Sequence, residues 1–204
     1  MTSFVYFDLG GVTIQDFSGN EKGNQLKIDL GLKGSQIKLF DQIYQQYAEK
    51  YNFSIDYDID NLIPVLEKTL DITFPKNYSL LVDIVNRLES NPSIWPVIEK
   101  VAKNSHIGLL TNMFPRMLDL IKKRNIIPPV SWDVIVDSSV VGLQKPDPNI
   151  FVLATKLASV STNEILFIDN SEEHIASAHD FGWKTFLYDS TNLKESSVKL
   201  SQLF

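Results

Sequence analysis

Hydrophobic and polar residues alternate in two different ways along this chain. An uncharged apolar run covers residues 4–7 and ends at Asp8, and its aromatic and β-branched residues predict a buried strand. Over residues 16–92, apolar residues recur three and four positions apart in a polar background, which predicts amphipathic helices and no strand. The apolar positions of these helices are Ile37, Phe40, Tyr44, Tyr47 and Tyr51, then Leu62, Val65, Leu66 and Leu70, and then Leu80, Leu81, Ile84, Val85 and Leu88.

After residue 92 the pattern becomes one of alternating strands and helices. Strands are predicted at residues 107–111, 132–136, 165–169 and 185–188, and helices at residues 94–103, 115–123, 148–157 and 171–181. This alternation is typical of a parallel sheet with helices on both faces. We therefore predict an α/β fold. Residues 1–15 and 93–204 form a Rossmann-like, doubly wound core, and a helical bundle is inserted over residues 16–92.

Composition narrows the classes of function. A chain of 204 residues suits one core with a modest insertion, and its net charge of −6 argues against nucleic acid or an anionic membrane as the main partner. The absence of cysteine excludes disulfides, thiol catalysis and thiolate metal sites. We find no basic segment followed by an apolar run at the start, and no stretch long enough to span a bilayer. The expectation is a cytoplasmic protein, and the sequence predicts no oligomeric state.

Polar residues stand where three of the predicted strands end. Asp8, Thr111 and Asp169 each close an apolar run, and Lys145 lies in a loop before a predicted helix. The carboxyl ends of parallel strands meet at one edge of a sheet, where ligands bind. A carboxylate nucleophile, a second carboxylate for Mg²⁺, and a hydroxyl and an ammonium for phosphoryl oxygens together make a phosphoryl-transfer site.

Each of these residues also has a purely structural interpretation. Asp8 could form a turn, Thr111 could cap the next helix, and Lys145 could be a solvated surface residue. Asn170 or Ser171 could cap the following helix, with Glu173 three positions after Asn170 completing a capping box. The joint order of acid, hydroxyl, lysine and acid favours the catalytic interpretation. The three histidines do not form a metal-binding spacing, and His174 and His179 are predicted on a helix surface, while Trp95, Trp132 and Trp183 are predicted to pack in or near the core.

Four short motifs occur in the order found in hydrolases of the haloacid dehalogenase superfamily, which the chain resembles over nearly its whole length. They are Phe7-Asp8-Leu9-Gly10-Gly11-Val12, Leu110-Thr111-Asn112, Gly142-Leu143-Gln144-Lys145-Pro146-Asp147-Pro148 and Phe167-Ile168-Asp169-Asn170-Ser171. The inserted helices are similar to that superfamily's C1 cap.

This resemblance implies roles for the matching residues. Asp8 is the expected nucleophile, and Thr111 and Lys145 are expected to bind phosphate. Mg²⁺ is expected to be held by Asp8, Asp169 and the carbonyl of Gly10. Asn112, next to Thr111, is expected to border the substrate pocket.

The chain departs from the superfamily pattern at Gly10. Most phosphatases of this kind carry an aspartate there, which protonates the leaving group and then activates water. Such general acid–base catalysis is typically worth about 10²–10⁴-fold in rate. Three explanations stay open. The leaving group is a good one, as in an anomeric sugar phosphate or an acyl phosphate; a residue such as Asp16 acts instead; or hydrolysis is not the main function.

The substrate class is suggested by two branches of the superfamily. The chain resembles bacterial α-glucose-1-phosphate phosphatases, which share the Asp-Leu-Gly first motif, and the N-terminal phosphatase domain of epoxide hydrolases. This implies a small phosphorylated metabolite, in particular a sugar phosphate. Three alternatives stay open: a metal-independent 2-haloacid dehalogenase, a phosphonate hydrolase, and a sugar-phosphate-binding regulatory protein with weak catalysis. The phosphonate hydrolase needs an imine-forming cap lysine, for which the candidates are Lys22, Lys27, Lys33, Lys38 and Lys50.

Overall fold

The core of the protein is a five-stranded parallel sheet. A computed structural model describes residues 2–17 and 21–204. The strands of the sheet are β1 (Phe4–Phe7), β4 (His106–Thr111), β5 (Val134–Asp137), β6 (Ile165–Asp169) and β7 (Lys184–Leu187), and their order is β5-β4-β1-β6-β7. The predicted α/β fold with a parallel sheet is confirmed, and β1 occupies its centre.

The central position of β1 explains its sequence. Phe4 pairs with His106 on one side and with Ile165 on the other, so β1 has no free edge. Successive side chains of a strand point to opposite faces. Val5 and Phe7 accordingly pack in one hydrophobic cluster, while Phe4 and Tyr6 pack in the other. A strand covered on both faces needs an unbroken apolar run, which is the pattern that predicted it.

Ten helices surround the sheet or form the insertion in the part of the chain that the structure describes. They are α1 (Lys22–Asp29), α2 (Ser35–Tyr51), α3 (Ile63–Leu70), α4 (Leu80–Arg87), α5 (Trp95–Val101), α6 (Met117–Lys123), α7 (Ser138–Val141), α8 (Pro148–Ala158), α9 (Glu172–Asp180) and α10 (Leu193–Ser201), with short 3₁₀ turns at Ile59–Leu62 and Thr162–Glu164. None of these helices is long and apolar enough to cross a membrane.

The predicted helices occur, with shifted ends that have local causes. The helix predicted from residue 115 begins at Met117, because Arg116 has a left-handed backbone with φ of 68°. The strand predicted from residue 132 begins at Val134, where pairing with Gly108 starts. Helix α10 was not predicted. Among the tryptophans, Trp183 is buried and stacks on Tyr6 at 5.5 Å between ring centroids, in line with its predicted packing role.

The prediction of no strand within residues 16–92 is wrong. Strand β3 (Glu89–Ser90) pairs antiparallel with β2 (Ile14–Gln15). Two residues are too few to give a periodic signal, and only the pairing with a distant segment defines them. The chain passes from the sheet to helices α1–α4 through β2 and returns through β3, so both connections run through this two-stranded ribbon. The boundaries at residues 15/16 and 92/93 stay predictions, and residues 1 and 18–20 lie outside the described residues.

Helices α1–α4 also contact the core away from the ribbon. Arg116, in the loop after β4, forms ion pairs with Asp58 and Asp60 of the cap. Arg124 at the end of α6 donates hydrogen bonds to the carbonyls of Val85 and Leu88. These contacts join the inserted segment to the loop after β4 and to the end of α6.

Gly108 tests the packing of the sheet. A Cβ at this position would lie 2.6 Å from Cε1 of Tyr6 and 2.9 Å from the carbonyl oxygen of Val134, which is backbone and cannot move aside. We expect Gly108→Ala to lower the free energy of unfolding by about 1–3 kcal/mol, measured by urea denaturation. Gly23→Ala in helix α1, where the nearest atom would be 3.4 Å away, is the matched control. Equal loss in both variants would contradict the packing argument.

Candidate active site

Three charged side chains converge at the carboxyl edge of the sheet. Asp8 directly follows β1, Asp169 is the last residue of β6, and Lys145 lies in the loop before α8. The Lys145 ammonium lies 2.9 Å from Oδ1 of Asp8 and 2.6 Å from Oδ2 of Asp169. The Lys145 side chain is only 1% exposed, so the alternative of a solvated surface lysine is wrong. Burial of this triad is tolerable because the opposite charges are paired.

The side chain of Asn112 holds the loop that carries Lys145. Its amide nitrogen donates to the Lys145 carbonyl at 2.8 Å, and its amide oxygen accepts from the Lys145 N–H at 2.9 Å. Both groups of the amide therefore already have a partner within the protein. The contact of Asn112 with substrate stays a prediction, whereas its support of the Lys145 loop is visible.

Thr111 ends β4, the strand next to β1, and is buried at the same edge as Asp8. The next helix, α6, begins at Met117 with Arg116 as the residue before it, so Thr111 does not cap that helix. The position is compatible with the predicted phosphate contact.

Burial and charge act in opposite directions on the two carboxyl groups. Burial raises the pKa of Asp8 from 3.8 to about 6, against the attraction of Lys145 and with a further contribution from the charge of Asp169. Burial also acts to raise the pKa of Asp169, but Lys145 and His174 outweigh it and lower the pKa to about 2. Asp169 therefore stays charged, whereas burial disfavours the charged form of Asp8.

His174 belongs to the site, which corrects the prediction that it lies on a helix surface. Its Nδ1 is 3.1 Å from Oδ2 of Asp169, and its side chain is 19% exposed. Of the two predicted N-cap residues, Asn170 and Ser171, it is Ser171 that caps helix α9, by accepting a hydrogen bond from the His174 N–H. This N-cap hydrogen bond lies in the first turn of α9, which closely follows the end of β6. His179, near the other end of α9, is exposed as predicted.

The segment after Asp8 is a tight turn. The Asp8 carbonyl accepts hydrogen bonds from the N–H and the hydroxyl of Thr13, and the Gly11 N–H donates to the Ile14 carbonyl at 2.9 Å. Gly11 has φ of +78°, and a Cβ there would lie 2.3 Å from the Asn170 amide nitrogen. Glycine is therefore required at position 11, and the turn leads directly into β2.

The oxygen donors at this edge suit a magnesium ion. Within residues 2–17 and 21–204, no three His, Cys, Asp or Glu side chains form a metal-binding group. Mg²⁺, however, is commonly held by one or two carboxylates together with waters and substrate phosphates. Asp8 and Asp169 supply two carboxylates close together, each bonded to the same Lys145 ammonium, so the kind of donor present fits this ion. The Gly10 carbonyl as a third donor stays a prediction.

The fold and the motif residues define a class of protein. A family model described as haloacid dehalogenase-like hydrolase matches residues 5–182. The chain belongs to this family of hydrolases.

Comparison with individual proteins agrees with this assignment. The chain is 24% identical over 122 residues to Phosphatase MT3486 of Mycobacterium tuberculosis (strain CDC 1551 / Oshkosh), covering 57% of this chain and 54% of that protein. It is 24% identical over 131 residues to Bifunctional epoxide hydrolase 2 of Rattus norvegicus, covering 61% of this chain and 24% of that protein. The chain thus matches about half the length of the first relative and about a quarter of the second.

A solved structure shares the fold over nearly the whole chain. The HAD family enzyme BT-2542 from Bacteroides thetaiotaomicron, crystallised in complex with magnesium and inorganic phosphate, superposes with a TM-score of 0.70 at 19% identity. The match covers 93% of this chain and 96% of that chain. At this level of identity the likeness shows the fold.

Proposed function

We propose that this protein is a Mg²⁺-dependent phosphatase that acts on a small phosphorylated metabolite through an aspartyl-phosphate on Asp8. The observation that carries the proposal is the buried Lys145 ammonium between the carboxylates of Asp8 and Asp169. Dehalogenation needs no metal ion, whereas a charged carboxylate such as Asp169 next to the nucleophile is suited to hold the Mg²⁺ of a metal-assisted phosphatase. The phosphatase name of the mycobacterial relative and the magnesium and phosphate bound to BT-2542 support the same choice.

The residues of the site divide the work of such a reaction. An oxygen of Asp8 attacks the phosphorus, and the bond from phosphorus to the leaving oxygen breaks. Lys145 and Thr111 hold phosphoryl oxygens as negative charge builds in the transition state. A magnesium ion on Asp8, Asp169 and the Gly10 carbonyl would supply the positive charge that lets an anionic nucleophile approach an anionic phosphate. Asn112 keeps Lys145 in place, and His174 orients Asp169.

The inserted helices enclose a small cavity. A cavity of about 280 Å³ lies between α1, α2 and α4. Its wall combines aromatic rings with an ion pair between Lys27 and Asp41, in which both carboxylate oxygens accept from Lys27 at 2.7 Å. Rings and charged hydrogen-bonding groups together suit a compact polyhydroxylated molecule, which supports a sugar phosphate as the substrate. No nucleic acid or membrane partner is needed, and a cytoplasmic location stays an expectation.

Metal removal tests this function directly. We expect phosphate release from a panel of aldose 1-phosphates and 6-phosphates to be lost in EDTA and restored by excess Mg²⁺, with the 1-phosphates preferred because their leaving groups are better. Halide release from 2-haloacids that persists in EDTA would instead identify a dehalogenase. Borohydride inactivation in the presence of a phosphonate would identify an imine-forming lysine. Tight sugar-phosphate binding with no turnover would identify a regulatory protein.

A further inference from the structure

Position 10 has room for a side chain, and a different carboxylate borders that room. Gly10 does not have the positive φ that requires glycine at Gly11. A Cβ built on Gly10 would have as its nearest neighbours the Cβ of Asp16 at 3.8 Å and Oδ2 of Asp16 at 3.9 Å. Both are ordinary van der Waals distances. The space that a side chain at position 10 would enter is therefore the space that the Asp16 carboxyl group faces.

The backbone on either side fixes Asp16 in this place. The turn after Asp8 is closed by the hydrogen bond from Gly11 to Ile14, and Gly10 itself bridges to Ile14. The next residue, Gln15, pairs with Glu89 in the ribbon, and its side-chain amide donates to the Ser90 carbonyl at 2.8 Å. Asp16 follows at once and is half-buried. Its approach to Gly10 thus results from the ordered turn and ribbon.

On its other side, Asp16 faces the cap. Burial and, to a lesser extent, the charge of Asp16 raise the pKa of Tyr44, on helix α2, to about 12. Tyr44 and Phe17 both line the cap cavity. Asp16 therefore lies between Gly10, which it borders, and Phe17, which lies in the wall of that cavity.

We propose that Asp16 is the general acid and base of this site, acting where the side chain missing from Gly10 would act; this rests on the proposed phosphatase function. In the first step, Asp8 bonds to phosphorus, the bond to the leaving oxygen breaks, and the Asp16 carboxylic acid gives its proton to that oxygen. In the second step, the Asp16 carboxylate takes a proton from water as the water oxygen bonds to phosphorus. The bond from phosphorus to Asp8 then breaks, which releases phosphate and restores both carboxyl groups.

The two carboxyl groups that contact Lys145 have different tasks. Asp8 is the nucleophile, and Asp169 is held charged by Lys145 and His174. Asp8 cannot serve as the acid because its oxygen is bonding to phosphorus at that moment, and Asp169 cannot because a group that stays charged has no proton to give.

The test compares leaving groups in the Asp16→Asn variant under single-turnover conditions with Mg²⁺. We expect release of a sugar or alkyl alcohol to fall by about 10²–10⁴-fold. Release of p-nitrophenol from p-nitrophenyl phosphate, which needs no proton to leave, should fall by less than about tenfold. Steady-state turnover of both esters should fall, because water activation is also lost. Asp180→Asn, which changes an exposed carboxylate on α9, is the matched control and should behave as wild type.

A second variant separates chemistry from structure. The double variant with Gly10→Asp and Asp16→Asn should release the alcohol at least tenfold faster than Asp16→Asn alone, since position 10 has room for the added side chain. Equal losses for both esters without rescue, or full activity in Asp16→Asn, would overturn the role of Asp16 while leaving the phosphatase proposal intact. If wild type released no phosphate from any ester, both proposals would fall. Melting temperatures check that each variant is folded. If Asp16→Asn does not fold, Asp16→Glu, which keeps the carboxyl group, takes its place in the comparison.

Discussion

Replacing Asp8 by asparagine is expected to lower phosphate release by about 10³-fold or more, because an amide cannot form the aspartyl-phosphate. The variant should still bind Mg²⁺ and phosphate weakly, since Asp169, Lys145 and Thr111 are unchanged. The measurement is steady-state phosphate release together with acid-quench trapping of the phosphorylated protein. A trapped phosphoprotein in Asp8→Asn would show that another residue is the nucleophile.

The same substitution should make the metal-free protein more stable. The pKa of Asp8 rises from 3.8 to about 6 on burial, so the folded state holds this proton more tightly than the unfolded state. Stability from this group is present below pH 3.8 and is lost as the pH rises through 6. One pKa unit corresponds to about 1.4 kcal/mol. At pH 8 in EDTA we therefore expect the free energy of unfolding of Asp8→Asn to be about 1–3 kcal/mol higher than that of wild type. The difference should disappear below pH 4, and a less stable variant at pH 8 would contradict the argument.

Lys145→Met is expected to have the largest combined effect on activity and stability. The Lys145 side chain is 1% exposed and contacts Asp8 and Asp169, so its loss leaves two buried carboxylates without their shared counterion. Removing one partner of a buried ion pair typically costs about 3–5 kcal/mol. Loss of its contact to the phosphoryl oxygens should lower phosphate release by about 10²–10³-fold.

Urea unfolding with and without Mg²⁺ measures this effect. In EDTA the Lys145→Met variant should be strongly destabilised, and Mg²⁺ should stabilise it more than it stabilises wild type, because the ion takes over the missing positive charge. Lys199→Met, which removes an exposed lysine paired with Glu195, is the control and should leave both stability and activity unchanged. Equal stability of Lys145→Met and wild type in EDTA would show that the buried charges are not paired as described.

The sequence predicted the parts of the site that stand at the ends of long apolar runs. Strands β1, β4 and β6 are such runs, and the parallel arrangement brings Asp8 and Asp169 to one edge. The phosphate-binding role of Lys145 was predicted from the joint order of the four residues and from the family motif, whereas its burial was not predicted, since a lysine in a loop is ordinarily solvated. These parts depend on local patterns that a single sequence displays.

The parts that were missed depend on contacts between distant or folded-back segments. Helical spacing predicts that His174 is a polar surface residue. In the structure the helix begins with the N-cap at Ser171, and the His174 side chain contacts Asp169. Strand β3 exists because Glu89 meets Gln15, far away in the chain. The approach of Asp16 to Gly10 requires both the tight turn and that pairing. No periodicity in the sequence carries this information.

The central place of β1 has a consequence for how the protein is made. Phe7 pairs with Leu109 on one side and with Ile168 on the other, so its second neighbour leaves the ribosome about 160 residues later, roughly 10–30 s at ordinary translation speeds. During that interval the apolar run at residues 4–7 lacks its neighbouring strand β6, which leaves it prone to aggregation. A nascent chain that stops before β6 carries Asp8 without Asp169. The proposed site is therefore complete only after β6 has been made, and a chaperone that shields residues 4–7 until then would raise the yield of folded protein.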